Sequence, residues 1–387
     1  MGRVGRLSTT SSAQAAAPLW TTRSGRTGLS TFAGSVCRTG RRAAILGVMS
    51  ALSDRRLLDQ LFARWGPVVH VRDARAAGLP RGVLVRAEDR SDLIRLGKAT
   101  FVRAGDWADG GERDRFRLRA LAFGLGLGGD AHLTGPAAAL LLGLPLVDDP
   151  SGLPVAIRPG NAHIGHDRTP YGRVRHGYLP VTCRTERQRV AVVSPAFCAV
   201  DIARHLGARD GLVVADAVLH SGIDRGAITT IAENMLAYPG IAMVAWVAEH
   251  ADRRAESPLE SLCRYAFLAA GARPPLSNVW IGAGSRWFRV DHLLPDEAVV
   301  LEGDGAVKYR DRPDADAIVR DEKERERLIR GLGYALARYT WSDAVGQPGR
   351  LLQRVREAAR MRPPGPVPTG WRLDPPWAGA GVSDAVR

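Results

Sequence analysis

Asp291 and Glu302 flank Pro295-Asp296-Glu297-Ala298, a turn-forming stretch between two runs of strand-forming residues. Residues 287–294 alternate, with Phe288, Val290 and Leu294 on one face and Arg289, Asp291 and Leu293 on the other. Val299-Val300-Leu301-Glu302 forms the returning strand. With Asp296-Glu297 as a two-residue turn, Asp291 falls directly opposite Glu302. Directly opposed residues hold their Cβ atoms about 4.5–5.5 Å apart on one face. Two carboxylates that close repel unless one is protonated or a cation lies between them, and Mg²⁺ is the cation expected. A shift of one residue in the turn would put the two acids on opposite faces. Glu260 adds a third acid from a helix, and Lys308 follows Gly303-Asp304-Gly305 at a distance that returns to the same place. Carboxylates that hold Mg²⁺ beside a basic side chain are what phosphodiester hydrolysis needs: the ion acidifies water and neutralises phosphate charge, and the base stabilises the developing anion.

The elements that must position these residues are legible nearby. Residues 255–271 form a helix with Leu262, Tyr265, Ala266, Leu268 and Ala269 along one face. Ser257 is its N-cap, Pro258 its first residue and Glu260 the partner in a capping box, so Glu260 has a structural reason to exist beside the catalytic one. Residues 314–332 form a densely charged helix in which Ile318, Leu328 and Ile329 pack, while Lys323, Arg325 and Arg327 read either as a solvated face or as DNA-backbone contacts. Residues 334–341 make a further strand, and from Pro363 onward accumulated Pro and Gly predict a disordered tail, 363–387.

Glu260, Phe288-Arg289-Val290-Asp291, Val300-Leu301-Glu302-Gly303-Asp304-Gly305, residues 325–334 and Arg338-Tyr339-Thr340-Trp341 occur in an order and spacing that resembles the very-short-patch-repair (Vsr-like) endonuclease domains of the PD-(D/E)xK, or restriction-endonuclease-like, superfamily. The resemblance spans 255–345. It implies a mixed sheet flanked by helices, Asp291 and Glu302 as Mg²⁺ ligands, Glu260 as the acid of the first helix and Lys308 in the place of a basic His or Lys. The chain departs from the pattern in two places. Asp304 replaces the lysine of the E-x-K element, a feature shared with the Vsr-like group, and Gly303 stands where a bulky apolar residue is usual and would loosen the strand end.

Residues 53–107 predict three short helices and a small hairpin. Ser53-Asp54 caps the first helix, 71–77 stops at Gly78, 81–89 follows Pro80, and Gly97-Lys98 turns between two strands within 93–102. This order is that of a winged helix-turn-helix, with Arg81 and Arg86 entering the DNA major groove and Lys98 and Arg103 meeting phosphate. A small helical cap with solvated arginines is the alternative. The run Leu93-Ile94-Arg95-Leu96-Gly97-Lys98-Ala99-Thr100-Phe101-Val102-Arg103 resembles the basic wing of AbiEi-type antitoxins. His132–Leu140 and the helix entry Ser194-Pro195 continue that resemblance through 113–250, with Phe197-Cys198 where the family has Arg-Thr. It implies an α/β antitoxin-like middle region and a cognate toxin as partner.

The remaining motifs are weak. His163 and His166 beside Asp167 sit among Pro, Gly and Asn, which favours a loop over a metal site. Gly124, Gly126, Gly128 and Gly129 lack the Lys-Ser/Thr pair of a phosphate loop and read as a flexible connection.

A chain of 387 residues is too long for one module at about 100–200 residues per domain. The net charge is +14, of which seven arginines and no acid fall in 1–48, leaving +7 for the rest and an anionic partner such as duplex DNA. Residues 1–48 predict an unfolded Arg-rich extension, read as a targeting peptide, a plain tail or an over-extended start before Met49. Four scattered cysteines exclude a disulfide framework and a zinc site, which suits a cytoplasmic protein. No apolar run reaches the roughly 20 residues of a membrane span. The expected fold class is α/β, α+β overall. Two functions stay open: a Mg²⁺-dependent DNA endonuclease with a DNA-binding front half, and a non-enzymatic regulator built on a degenerate nuclease fold.

Overall fold

The computed structural model describes residues 36–160, 166–304 and 315–377. The chain divides into two compact units, Met1–Arg56 and Leu57–Arg387. In the first, the described residues belong to helix α1 (Val36–Trp65), which continues into the second unit. The helix therefore starts inside the segment expected to be unfolded and runs through Ser53-Asp54, the expected cap. Ala43-Ala44-Ile45-Leu46 and Met49-Ser50-Ala51-Leu52 contain no proline, so once a helix has started nothing local stops it. Residues 1–35 lie outside the described residues.

In the second unit, β1 (Val68–His70), α2 (Val71–Ala76), α3 (Arg81–Asp89), β2 (Leu93–Gly97) and β3 (Thr100–Arg103) follow α1. The strands form a sheet in the order β1-β3-β2, all antiparallel. β1 is an element the sequence reading missed, because three residues are too few to show a period. Its last residue, His70, caps α2: Nδ1 accepts the Arg72 amide at 3.0 Å, and Asp73 returns a bond to the His70 amide at 2.8 Å. Leu58, Leu61, Phe62, Val83, Leu84 and Phe101 close a core between these helices and the hairpin.

After α4 (Ala104–Asp109), helix α5 (Glu112–Gly126) lies between two sheets. Phe116, Leu118, Leu121 and Phe123 pack with Val68 and Val102 of the first sheet and with Leu133, Val174, Val190 and Val192 of a second. Gly124 belongs to this helix and is not a flexible connection. A Cβ there would come within 2.9 Å of Val190 and 3.0 Å of Leu133, so glycine sets how closely helix and sheet approach.

The second sheet comprises β4 (His132–Thr134), β5 (Val155–Pro159), β6 (His166–Thr169), β7 (Gly172–Gly177), β8 (Arg184–Arg187) and β9 (Val190–Val193), in the order β6-β7-β5-β4-β9-β8 with parallel and antiparallel pairs. Helices α6 (Gly135–Leu142), α7 (Pro195–Leu206), α8 (Ala208–His220), α9 (Arg225–Glu233) and α10 (Ile241–His250) build the core beside it. Ser194 caps α7 as its sequence predicts, accepting the Phe197 amide at 3.3 Å. His163 lies outside the described residues, and Asp167 is paired with Arg158 and His176.

The third sheet holds the candidate acids. α11 (Pro258–Ala269), β10 (Leu276–Ala283), β11 (Arg286–Leu294), β12 (Val299–Asp304), α12 (Ala315–Gly331), β13 (Ala335–Thr340), α13 (Trp341–Gly346), α14 (Pro348–Arg360) and β14 (Trp371–Arg372) give the strand order β13-β12-β11-β10-β14. The β12–β13 pair is parallel and the others antiparallel. α11, α13 and α14 cover one face through Leu262, Phe267, Ala344, Leu351 and Val355, and α12 covers the other through Ile329. The region thus extends past 345. The tail expected to be disordered is fixed as far as Trp377: β14 pairs with β10, the Gly282 amide donates to the Gly370 carbonyl at 2.8 Å, and Arg254 holds the Leu373 carbonyl and Asp374. An open strand edge supplied the partner that composition could not reveal. The molecule is a mixed α/β protein with mixed sheets, and no helix among the described residues is long and apolar enough to cross a membrane.

Candidate functional site

β11 and β12 pair His292 with Leu301, Leu293 with Val300 and Leu294 with Val299. This is the register that carries Asp291 toward Glu302. The turn is the four residues 295–298, not two, with Ala298 at φ 50°. One added residue on each side leaves the facing of the strands unchanged. The ladder stops at His292, and beyond it Asp291 Oδ2 accepts the Gly303 amide at 2.8 Å. The side chain of Asp291 therefore fixes the end of β12, where Gly303 has only close neighbours: a Cβ there would meet Leu259 and the Tyr339 hydroxyl at 3.1 Å.

Glu302 is held from the opposite helix layer. Its Oε1 accepts Arg325 Nη2 of α12 at 3.0 Å, and the same nitrogen donates to the Arg289 carbonyl at 2.7 Å. Burial and the charge of Asp291 push the Glu302 carboxyl up to about 7, against the pull of Arg325. Among the described residues, no arginine or lysine is ion-paired with Asp291. Among the described residues Arg325 is the cation paired with Glu302 and none is paired with Asp291, a charge arrangement that accepts a divalent ion or a proton. Arg325 emerges here as a residue that holds the site together; its sequence signal was only a place in a charged run.

Glu260 caps its helix and joins it to β10. It is buried, and its oxygens accept the Glu256 amide at 2.9 Å, the Ser257 hydroxyl at 2.7 Å and Asn278 Nδ2 at 2.6 Å. Burial raises its carboxyl above the usual range, and the three donors oppose that rise. The capping box read from the sequence is present, Asn278 ties the same carboxylate to β10, and the charge of Asp291 adds to the rise. Asp304 pairs with Arg338 at 3.3 Å. Next to Asp291 in β11, His292 is fully buried, its ring 6.0 Å from that of Tyr339. Burial drives its imidazole down to about 3, so it stays neutral and supplies no cation. Lys308 lies outside the described residues. Among the described residues no three His, Cys, Asp or Glu side chains converge as a metal-holding group.

The expected DNA contacts lie on the first sheet and its helices. Arg86 is exposed on α3, and the Arg81 side chain lies outside the described residues. Lys98 is exposed at the β2–β3 turn. Arg103 sits at the other end of the hairpin, where it pairs with Asp59 at 2.8 Å and lies 4.8 Å over the Phe62 ring, so it braces α1.

A second polar cluster, absent from the sequence reading, surrounds Asp201 on α7. Its carboxylate accepts the Thr134 hydroxyl at 2.7 Å and Arg175 Nη2 at 2.5 Å, with His205 Nε2 at 3.4 Å. Burial alone would push this carboxyl up, but Arg175, His205 and Thr134 hold it well below the usual range. The folded group keeps its charge where the unfolded one, near 3.9, takes a proton. Its contribution is therefore complete above about pH 4 and is lost below that at about 1.4 kcal/mol per pH unit. Asp201→Asn is expected to lack this part of the acid slope: by urea unfolding, the gap between the two proteins should narrow by roughly 1 kcal/mol between about pH 6 and about pH 3. A constant gap would refute the ionised assignment.

No family model matches the chain. Two uncharacterized proteins of Mycobacterium tuberculosis are each 30% identical to it over 182 residues, 45% of this chain and 66% of theirs. The chain thus spans less than two thirds of these relatives' length. The crystal structure of the RV2827C protein from Mycobacterium tuberculosis superposes with a TM-score of 0.32 at 14% identity, covering 58% of this chain and 82% of that one.

Proposed function

We propose that the protein binds duplex DNA through a winged helix-turn-helix formed by α1 to β3 and hydrolyses its phosphodiester bonds at a Mg²⁺-dependent, endonuclease-like site around Asp291 and Glu302. The observation that carries the reading is the acid pair: Asp291 has no cationic partner among the described residues, beside a Glu302 whose carboxyl its charge helps to push up to about 7. Hard oxygen donors of this kind fit Mg²⁺. Asp291 and Glu302 would hold the ion, which when bound acidifies water and offsets phosphate charge. The chain's own groups do the rest: Arg325 orients Glu302, the Gly303 amide orients Asp291, and Arg338 fixes Asp304 at the strand end.

The helix, strand, helix, helix, hairpin order and the β1-β3-β2 sheet support the DNA-binding half. In this reading α3 enters the major groove with Arg81 and Arg86, and Lys98 meets phosphate. Cys183, Cys198 and Cys263 are buried and form no disulfide among the described residues, an arrangement compatible with the cytoplasmic setting of this reading. Lys98→Ala is expected to weaken binding equally across sequences and to lower the slope of log K against log salt by about one. Fluorescence anisotropy at several salt concentrations measures this, and an unchanged slope would place the wing away from the backbone.

A second reading is favoured by the bonding of Glu260 to its own cap and of Glu302 to Arg325. In it the C-terminal fold is a retired nuclease, and the chain acts as an AbiEi-type regulator with a toxin as partner. Incubating supercoiled DNA with the purified protein, with and without Mg²⁺, separates the two. Metal-dependent nicking supports the enzyme; tight binding without cleavage under any divalent ion supports the regulator.

A further inference from the structure

A cavity of about 390 Å³ opens beside Asp201, between α6, α7 and strands β5 and β7. Its polar wall is made by Arg173, Arg175, His205 and Asp201, and its apolar wall includes Phe116 and Leu153. Arg173 and Arg175 are two apart on β7 and so face the same side of the sheet. Their circumstances differ. Arg175 is tied to Asp201 and also to His205, while its Nε is buried without a partner. The Arg173 guanidinium is exposed and has no partner among the described residues.

The charges around the cavity do not cancel. Asp201 is the acid of the wall, and it is shared by Arg175 and His205, with Arg204 at 4.0 Å. Arg173 is additional. A network that served only to fasten α7 to the sheet would need Arg175 and Asp201, and would have no use for a second arginine directed at the same open space. Asp201 has a more specific effect: by accepting Nη2 it fixes the plane of the Arg175 guanidinium, so that its orientation is set before anything binds. The apolar part of the lining argues against a bare, strongly hydrated ion as the best fit, because its desolvation there would be uncompensated.

We propose that this cavity binds a small organic anion, a carboxylate or phosphate ester, whose charged group meets Arg173 and Arg175 and whose apolar body lies against Phe116 and Leu153. The site is separate from the acid pair of β11 and β12 and stands whether or not the protein cleaves DNA. Calorimetric titration of the full chain with benzoate, phenyl phosphate, inorganic phosphate and uncharged benzyl alcohol tests it. Saturable binding of benzoate or phenyl phosphate is expected, the tighter of the two identifying the anionic group, with benzyl alcohol not binding. Arg173→Met, which keeps the bulk of the side chain and removes its charge, should weaken that binding by about tenfold or more. Arg173→Lys should retain part of it, and Asp291→Asn should leave it unchanged. Absence of saturable binding by either organic anion overturns the proposal, as does binding that Arg173→Met leaves intact. Inorganic phosphate binding as tightly as phenyl phosphate overturns the assignment of an organic ligand.

Discussion

If the chain is the proposed nuclease, Asp291→Asn is expected to lower Mg²⁺-dependent nicking of supercoiled DNA by about 10²–10³-fold, the scale of losing one electrostatic contributor at a catalytic centre. The substitution keeps the size of the side chain and removes the charge. The amide oxygen still accepts the Gly303 amide that now bonds Oδ2, so the strand end is retained while the acid pair is broken. Glu302→Gln should fall in the same range, because it removes the other half of the pair. Glu260→Gln is the informative contrast. Its carboxylate is consumed by the Glu256 amide, the Ser257 hydroxyl and Asn278, so its loss should appear in unfolding measurements as a weakened cap of about 1 kcal/mol and only slightly in cleavage. Cleavage that survives Asp291→Asn would move the chemistry elsewhere in the chain.

Arg264→Ala is expected to cost about 3–5 kcal/mol of unfolding free energy, the typical result of removing one partner from a buried ion pair. Arg264 lies on α11 and is 5% exposed. Its Nη1 meets Asp216 of α8 at 3.0 Å, its Nη2 donates to the His250 carbonyl at 2.5 Å, and Asp252 is 3.6 Å from its Nε. Burial pushes the Asp216 carboxyl up, and Arg264 opposes that; without the arginine, Asp216 is left buried without its cation, beside the partly exposed Asp252. Against a total of about 5–15 kcal/mol for an ordinary domain, the loss is large. Guanidinium unfolding measures it. The double variant Asp216→Leu with Arg264→Met should recover much of the stability, since well-packed apolar replacements of buried pairs are often neutral. A single-variant loss below about 1 kcal/mol would show that the pair is not what joins these helices.

What could be read from the sequence was whatever a short stretch of chain determines by itself. α3 has the expected bounds because Pro80 precedes it and its apolar positions end at Ala87. α11 carries the expected cap because Ser257, Pro258 and Glu260 are adjacent in sequence. The β11–β12 register was legible because a symmetric turn and an alternating pattern fix it together. The missed features depend on partners far along the chain. β1 is a strand because β3 is beside it, and β14 because β10 has an edge to fill. Arg325 holds Glu302 from a helix whose charged run reads either as a solvated face or as a DNA-backbone contact. Glu260 makes the local bonds its cap predicts, to Glu256 and Ser257, and a distant one to Asn278 of β10 that the sequence did not show.

The pairing of β14 with β10 has a consequence for how copies of this chain behave toward one another. The last strand of a sheet displays a row of unpaired amides and carbonyls that any extended segment can join, including one from a neighbouring molecule. Here Trp371 and Arg372 occupy that row, and Trp377 closes over Trp280 with ring centroids 4.8 Å apart. A segment that its composition marks as unstructured is thus a built-in stopper against strand-by-strand self-association.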